Sequence, residues 1–99
     1  MLAGAVFAPT FTTYAETKRH VIKINKMKFG PAPGQIRVGD QITWKNIDLV
    51  THTATARDGS FDIELPRGAE HTITIKTQGA VEVYCRYHPG MIVTIVAMS

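Results

Sequence analysis

Three residues that commonly bind metal ions lie close together as Cys85-x-x-His88-x-x-Met91. A thiol sulfur and a thioether sulfur therefore flank one imidazole. Soft sulfur ligands together with imidazole favour copper, and a second imidazole would complete the His₂Cys set with a weak axial Met found at blue-copper electron-transfer sites. The same residues also fit a buried Cys, a surface His and a core Met in a domain without metal.

The strand pattern before this motif places the three donors at one end of the domain. Residues 80–85 alternate between apolar and other side chains, which predicts a strand that ends at Cys85. His88 and Met91 then fall in the loop that leads to the last strand. A fourth ligand must come from another strand that begins or ends at the same pole.

His52 is our candidate for that fourth ligand among the chain's four histidines. It follows Leu49-Val50-Thr51 and begins a predicted strand, so it occupies a strand-end position. His20 lies beside Lys18-Arg19, and His71 lies in a polar run. We interpret these two as surface histidines, since a mononuclear site needs few donors.

The remaining chain has the pattern of short strands joined by turns. Residues 57–60, Arg-Asp-Gly-Ser, predict a hairpin, and no segment shows a sustained helical period. About eight short strands indicate an all-β antiparallel sandwich or barrel. Ile36 and Val38 are predicted to point inward, Trp44 to be a core residue, and the apolar run 92–97 to be a strand buried on both faces. The predicted strands are 20–25, 35–38, 41–46, 52–56, 61–65, 72–76, 80–85 and 92–97.

Composition bounds the functional classes. The chain has 99 residues, 44% of them apolar and 19% charged, which is typical of one globular domain. Its single Cys excludes an internal disulfide. The formal charge of +3 is spread over scattered basic residues, so no nucleic-acid groove is indicated and a mild preference for acidic protein partners is the most that follows.

Residues 1–15 differ in composition from the rest of the chain. They carry no charged side chain and are too short and too interrupted by Pro9 to span a membrane. We interpret them as the remnant of a signal peptide, with cleavage after Ala15, or as a flexible N-terminus. The expected single domain is then 16–99, in a protein exported to the periplasm.

Several segments resemble the small cupredoxins, and most of all the amicyanins. Asn46 stands six residues before His52, and the two gaps in the Cys85–Met91 loop are each two residues long. Segments 23–29 and 38–46 are similar to amicyanin strands, the latter with the same Gly-Asp turn and Trp. The resemblance covers roughly residues 21 to 97.

This resemblance implies a fold, a cofactor and an activity. The fold would be a cupredoxin-like Greek-key β-sandwich, and His52, Cys85, His88 and Met91 would bind one type 1 copper ion. The protein would be a small monomer that shuttles one electron between redox partners, for example from an amine dehydrogenase to a c-type cytochrome. Asn46 would contribute hydrogen bonds near the Cys sulfur.

The resemblance also implies where partners dock. Met27 and Val50 match positions around the exposed histidine of amicyanin, and we expect them to form an apolar patch beside His88. Arg86, at the rim, would favour an acidic partner. Arg86-Tyr87 replaces a small-residue pair of the family, so the docking surface differs here from that of the amicyanins.

Other functions use the same donors. A periplasmic copper carrier or copper sensor is the main alternative. A cysteine hydrolase would need a group that orients the histidine and an oxyanion pocket, for which the chain shows no signal. A structural zinc site would rarely choose Met. We therefore do not expect an enzyme.

Overall fold

The computed structural model describes residues 16–99. The predicted signal remnant at 1–15 lies outside the described residues. Within 16–99 there are strands, turns and bends and no helix, so no helix there is long and apolar enough to cross a membrane. The predicted all-β class is confirmed.

Nine strands replace the eight expected, because a two-residue strand follows the first one directly. Alternating or β-branched sequences account for most of them, since such side chains pack well on a pleated surface. The strands are β1 Arg19–Asn25, β2 Lys28–Phe29, β3 Ile36–Arg37, β4 Gln41–Asn46, β5 His52–Ala56, β6 Asp62–Leu65, β7 Glu70–Thr74, β8 Gly79–Tyr84 and β9 Ile92–Met98.

The strands form two sheets that pack as a sandwich. One sheet has the order β2-β1-β4-β7, and the other has the order β3-β9-β8-β5-β6. β1 and β4 are parallel, as are β3 and β9, whereas the other pairs are antiparallel. β5 and β6 form the predicted hairpin, and Gly59 in its turn has φ of 80°, a conformation that glycine adopts without strain.

The core lies between the sheets. Ile22, Ile42 and Trp44 from the first sheet and Val83 and Ile95 from the second belong to one buried cluster. The rings of Phe29 and Phe61 pack on Trp44, with centroids 5.8 and 5.9 Å from its own. Trp44 is thus a core residue, as predicted.

Two predictions of burial are corrected by the structure. β9 alternates instead of being buried on both faces, since Ile95 is buried but Val96 is 55% exposed. Its outer face is exposed because residues 16–99 form two sheets and no third layer over this one. Val38 is 39% exposed because it lies beyond the end of β3, whereas Ile36 is fully buried. β5 is the strand that is buried on both faces.

Topology brings four strand ends to one pole of the sandwich. β4 ends and β5 begins there, and β8 ends and β9 begins there, so the 46–52 and 84–92 connections are neighbours. The β1–β2 turn lies at the same pole, because β1 runs parallel to β4. This pole holds the candidate site.

Candidate metal centre

Three of the four predicted ligands meet at this pole. The Sγ atom of Cys85 lies 3.7 Å from Nδ1 of His52 and 3.7 Å from Nδ1 of His88. All three donor atoms lie within 4.8 Å of one another. Donors that share one ion at bond lengths of about 2.0 to 2.3 Å lie about 3 to 4.5 Å apart, so these separations fit a common ion.

Met91 lies beside this group. Its carbonyl accepts a hydrogen bond from the Cys85 N–H at 3.2 Å, and its N–H donates to the His88 carbonyl at 2.8 Å. The residue is only 6% exposed and belongs to the buried core. These two backbone bonds close the Cys85–Met91 segment into a tight loop, which explains why the short spacing brings three donors together.

The two histidines have different surroundings. His52 is fully buried at the start of β5, and its Nε2 lies 2.9 Å from Oδ2 of Asp48. His88 is half-buried, and among residues 16–99 no group is hydrogen-bonded to its Nε2. Both rings turn Nδ1 toward Cys85, with ring centroids 5.3 Å apart and planes at 61°.

The sulfur of Cys85 lies in a site that stabilises its thiolate. Burial raises the pKa of the thiol, but the Thr53 N–H, the two histidine rings and the Tyr87 backbone, which all lie close to the sulfur, outweigh burial and lower the pKa to about 6. The Thr53 N–H lies 3.4 Å from Sγ. Thiolate is the form of Cys that binds metal ions.

Asn46 has partners other than the sulfur. Its amide nitrogen donates to the carbonyls of Val50 and Leu65 at 2.8 Å each, and its Oδ1 accepts from the Asp48 N–H at 2.9 Å. Asn46 thus fixes the loop that carries His52. The resemblance led us to expect hydrogen bonds near the sulfur from Asn46, and the structure assigns that contact to the Thr53 backbone.

The ligand loop is also tied to the neighbouring strands. The Arg86 N–H donates to Thr53 Oγ1 at 2.8 Å, and Arg86 Nε lies 2.9 Å from Asp62 Oδ1. The Tyr87 hydroxyl donates to Glu64. Arg86 therefore has a carboxylate partner, and the positive charge expected at the rim is largely offset.

Exposed apolar side chains lie at the same pole of the sandwich as His88. Met27 is 42% exposed and Val50 is 44% exposed, as expected. Leu49, the neighbour of Val50, is 71% exposed. Met27 lines one groove with His88, Pro89 and Gly90. We call Met27, Leu49 and Val50 the apolar rim.

Two histidines were predicted to lie outside the site. His71 is exposed on β7, as predicted. The prediction that His20 is a surface histidine is corrected: its side chain is only 12% exposed, and its Nε2 lies 2.9 Å from Oδ2 of Asp40 at the opposite pole. Within residues 16–99, neither histidine lies in the cluster of possible metal ligands, which consists of His52, Cys85 and His88.

The donor set fits copper. Thiolate, two imidazoles and a thioether are arranged as in a type 1 copper site, whereas structural zinc sites are built from Cys, His and carboxylates. Because Cys85 and His52 are fully buried, an ion bound there would have little contact with water.

Comparison with known proteins finds a curated relative of this chain. No family model matches the chain. A curated relative, amicyanin-alpha of Methylorubrum extorquens, is 27% identical over 97 residues, which cover 92% of this chain and 79% of that protein.

Solved structures share the fold. A Cu(I) structure of an amicyanin mutant superposes with a TM-score of 0.69 at 22% identity, covering 81% of this chain and 82% of that one. A purple cupredoxin from Nitrosopumilus maritimus gives 0.70 at 22% identity, covering 80% and 99%. The fold is therefore that of the cupredoxins, and the resemblance to amicyanin inferred from the residues is confirmed.

Proposed function

We propose that this cupredoxin-like protein carries single electrons between redox partners, at one copper ion bound by His52, Cys85, His88 and Met91. The observation that supports this most is the cluster of three donor atoms within 4.8 Å, with Met91 in the adjoining backbone loop. Bound copper would supply the chemistry by alternating between Cu(I) and Cu(II). The protein would hold the donors in one arrangement for both states.

Burial favours electron transfer over copper delivery. Cys85 and His52 are both fully buried, and hydrogen bonds hold the loops on either side of them. A carrier that hands its ion to another protein needs donors that a second ligand set can reach. Here only His88 is partly accessible. We therefore place the copper carrier or sensor second.

The route for the electron would pass by His88. Nδ1 of its ring lies 3.7 Å from the Cys85 sulfur, and Met27 of the apolar rim lines a groove together with this half-buried ring. Small apolar interfaces are typical of weak electron-transfer complexes. Lys26 and Lys28, both exposed next to Met27, supply positive charge in place of the paired Arg86. An acidic redox partner would be favoured, with association weakening as salt rises.

The partner classes follow from the resemblance to amicyanin. We propose an amine dehydrogenase as donor, a c-type cytochrome as acceptor and the periplasm as location. Residues 1–15 would then be removed on export, so the N-terminus of the protein from its native source should lie near Glu16. Mass spectrometry that found residues 1–15 on the exported protein would contradict that part.

Voltammetry and copper transfer together test the function. The copper-loaded protein should give a reversible one-electron wave, and it should keep its copper for hours in a moderate excess of a Cu(I) chelator. Rapid loss of copper to the chelator, with a slow or irreversible wave, would favour the carrier instead. His71→Ala, on exposed β7, is a matched control that should behave as the parent protein does.

A further inference from the structure

Asp48 joins a predicted metal ligand to the protein surface. Its Oδ2 lies 2.9 Å from Nε2 of His52 and accepts a hydrogen bond from the Met27 N–H at 2.9 Å. Its Oδ1 accepts from the Leu49 N–H at 2.8 Å. One carboxylate therefore contacts a buried imidazole and the backbone of two residues of the apolar rim.

The bond to His52 determines which ring nitrogen carries the proton. An ionised carboxylate can only accept hydrogen bonds, so Nε2 of His52 must be the donor. In a neutral imidazole, Nδ1 then keeps its lone pair. That nitrogen is the one 3.7 Å from the Cys85 sulfur. Asp48 thus leaves the coordinating nitrogen free on the side where a metal ion would bind.

Asp48 is itself held in place. Its N–H donates to Oδ1 of Asn46 at 2.9 Å, and its side chain is only 13% exposed. Met27 has φ of 61° and follows Lys26 with φ of 51°, so two successive residues adopt a left-handed backbone that is uncommon outside glycine. The bond from Met27 to Asp48 stabilises this turn.

The other histidine has no such support. Among residues 16–99, no carboxylate is hydrogen-bonded to His88, whose ring is held by the ligand loop and its packing. The support of one ligand and not the other points to a specific role for Asp48, since outer groups of this kind fix the ring orientation and the basicity of metal ligands.

We propose that Asp48 is a positioning residue, which holds His52 with its proton on Nε2 and ties this ligand to the Met27 backbone at the apolar rim. This inference rests on the proposed copper site. Its consequences for the metal-free protein concern only the His52 ring and the Met27 turn, so they can be measured without copper.

The first test is ¹⁵N NMR of the metal-free protein. His52 should show the Nε2-protonated tautomer in the parent protein, and a mixture of both tautomers in Asp48→Ala. Asp58→Ala is a matched control, because Asp58 also accepts a backbone N–H in a loop but lies in the β5–β6 turn. A pure Nε2-protonated His52 in Asp48→Ala would overturn the proposal.

Asp48→Asn provides a second variant that keeps the size of the side chain. Its single amide oxygen can replace only one of the two accepting carboxylate oxygens, so it cannot retain all three bonds. The Met27 or Leu49 amide should therefore exchange with solvent faster than in the parent protein. Unchanged exchange at both amides and an unchanged tautomer would contradict the role of Asp48, even if Asp48→Ala failed to fold.

The last test uses Cu(II). Asp48→Ala should bind Cu(II) about 10- to 100-fold more weakly than the parent protein, the range measured when such outer partners are removed. Asp58→Ala should bind as the parent protein does. Equal affinities in all three would overturn the proposal. Failure of the parent protein to bind Cu(II) would instead reject the proposed function, while leaving the tautomer result intact.

Discussion

The two histidines of the candidate site lie in contrasting environments. His52 is fully buried at the start of β5, with Asp48 on its outer nitrogen and Asn46 holding its loop. His88 is half-buried in a short loop and lines a groove with Met27 of the apolar rim. One ligand is thus anchored to the scaffold, and the other forms the contact with the outside. A site that passes electrons needs both properties, a fixed donor set and one accessible edge.

Removal of each imidazole in turn should reveal the difference between the two histidines with the largest effect. His52→Gly and His88→Gly should both lose the intense visible absorption of the copper protein. Added imidazole should restore it in His88→Gly at lower concentration than in His52→Gly, because the His88 ring edge lies at the surface. An absorption titration with imidazole measures both. Equal restoration in the two variants would show that the histidines do not differ in accessibility.

Stability should also differ between the two loops. Asn46→Ala removes three buried hydrogen bonds and should lower the free energy of unfolding of the metal-free protein by about 2 to 4 kcal/mol. Tyr87→Phe removes one exposed bond from the other loop and should cost at most about 1 kcal/mol. Urea denaturation measures both. A larger loss of stability in Tyr87→Phe than in Asn46→Ala would show that the Cys85–Met91 loop, and not the loop before His52, is the more firmly held of the two.

Some donors were easier to predict from the sequence than others, because three of them lie close together along the chain and the fourth does not. Cys85, His88 and Met91 lie within seven residues, so their spacing alone indicates a common site. His52 could be selected only through the expected order of strand ends, which the structure reproduces. Asp48 and the Thr53 N–H were missed. Asp48 stands four residues before His52 in a loop, and a backbone N–H has no side-chain signal at all.

The fold shows the same limit. The sequence pattern correctly predicted that Ile36 points inward and that Trp44 is a core residue. The apolar run of β9 suggested burial on both faces, and this was wrong because covering by a third layer is a property of the whole structure. β5 contains the polar residues His52, Thr53 and Thr55 and is nevertheless buried throughout, between β8 and β6 in its sheet.

Substitutions in the apolar rim should show whether redox partners dock beside His88. Met27→Glu and Val50→Glu should leave the copper spectrum unchanged and slow electron exchange with an acidic partner about tenfold, equivalent to 1.4 kcal/mol. Val96→Glu, 55% exposed on β9, is the matched control and should have little effect. Stopped-flow kinetics provides the measurement. If Val96→Glu slowed exchange as much as Val50→Glu, the apolar rim would not be the docking surface.

The smallest effect is expected at the opposite pole, where His20 lies against Asp40. Hydrogen bonds from the Lys18 N–H, His20 and the Arg37 N–H lower the pKa of Asp40 to about 2 from 3.8. Because the folded state favours the carboxylate, Asp40 stabilises the fold fully above about pH 4, and this contribution is lost as pH falls toward 2.

Asp40→Asn should therefore reduce stability at neutral pH and flatten its decline between pH 4 and 2, which denaturation at several pH values would reveal. The copper spectrum at neutral pH should stay as in the parent protein, since Asp40 is remote from the Cys85 end of the sandwich. An unchanged pH profile would show that these hydrogen bonds do not favour the carboxylate.

The visible spectrum after addition of Cu(II) tests directly whether Cys85 binds copper. We expect intense absorption in the red-orange region for the protein and for His71→Ala, because copper would bond to the Cys85 thiolate. Cys85→Ala should lose this absorption, with the copper bound per protein measured in parallel. Intense absorption that survived in Cys85→Ala, or a colourless parent protein with copper bound, would contradict the assignment of a type 1 copper site.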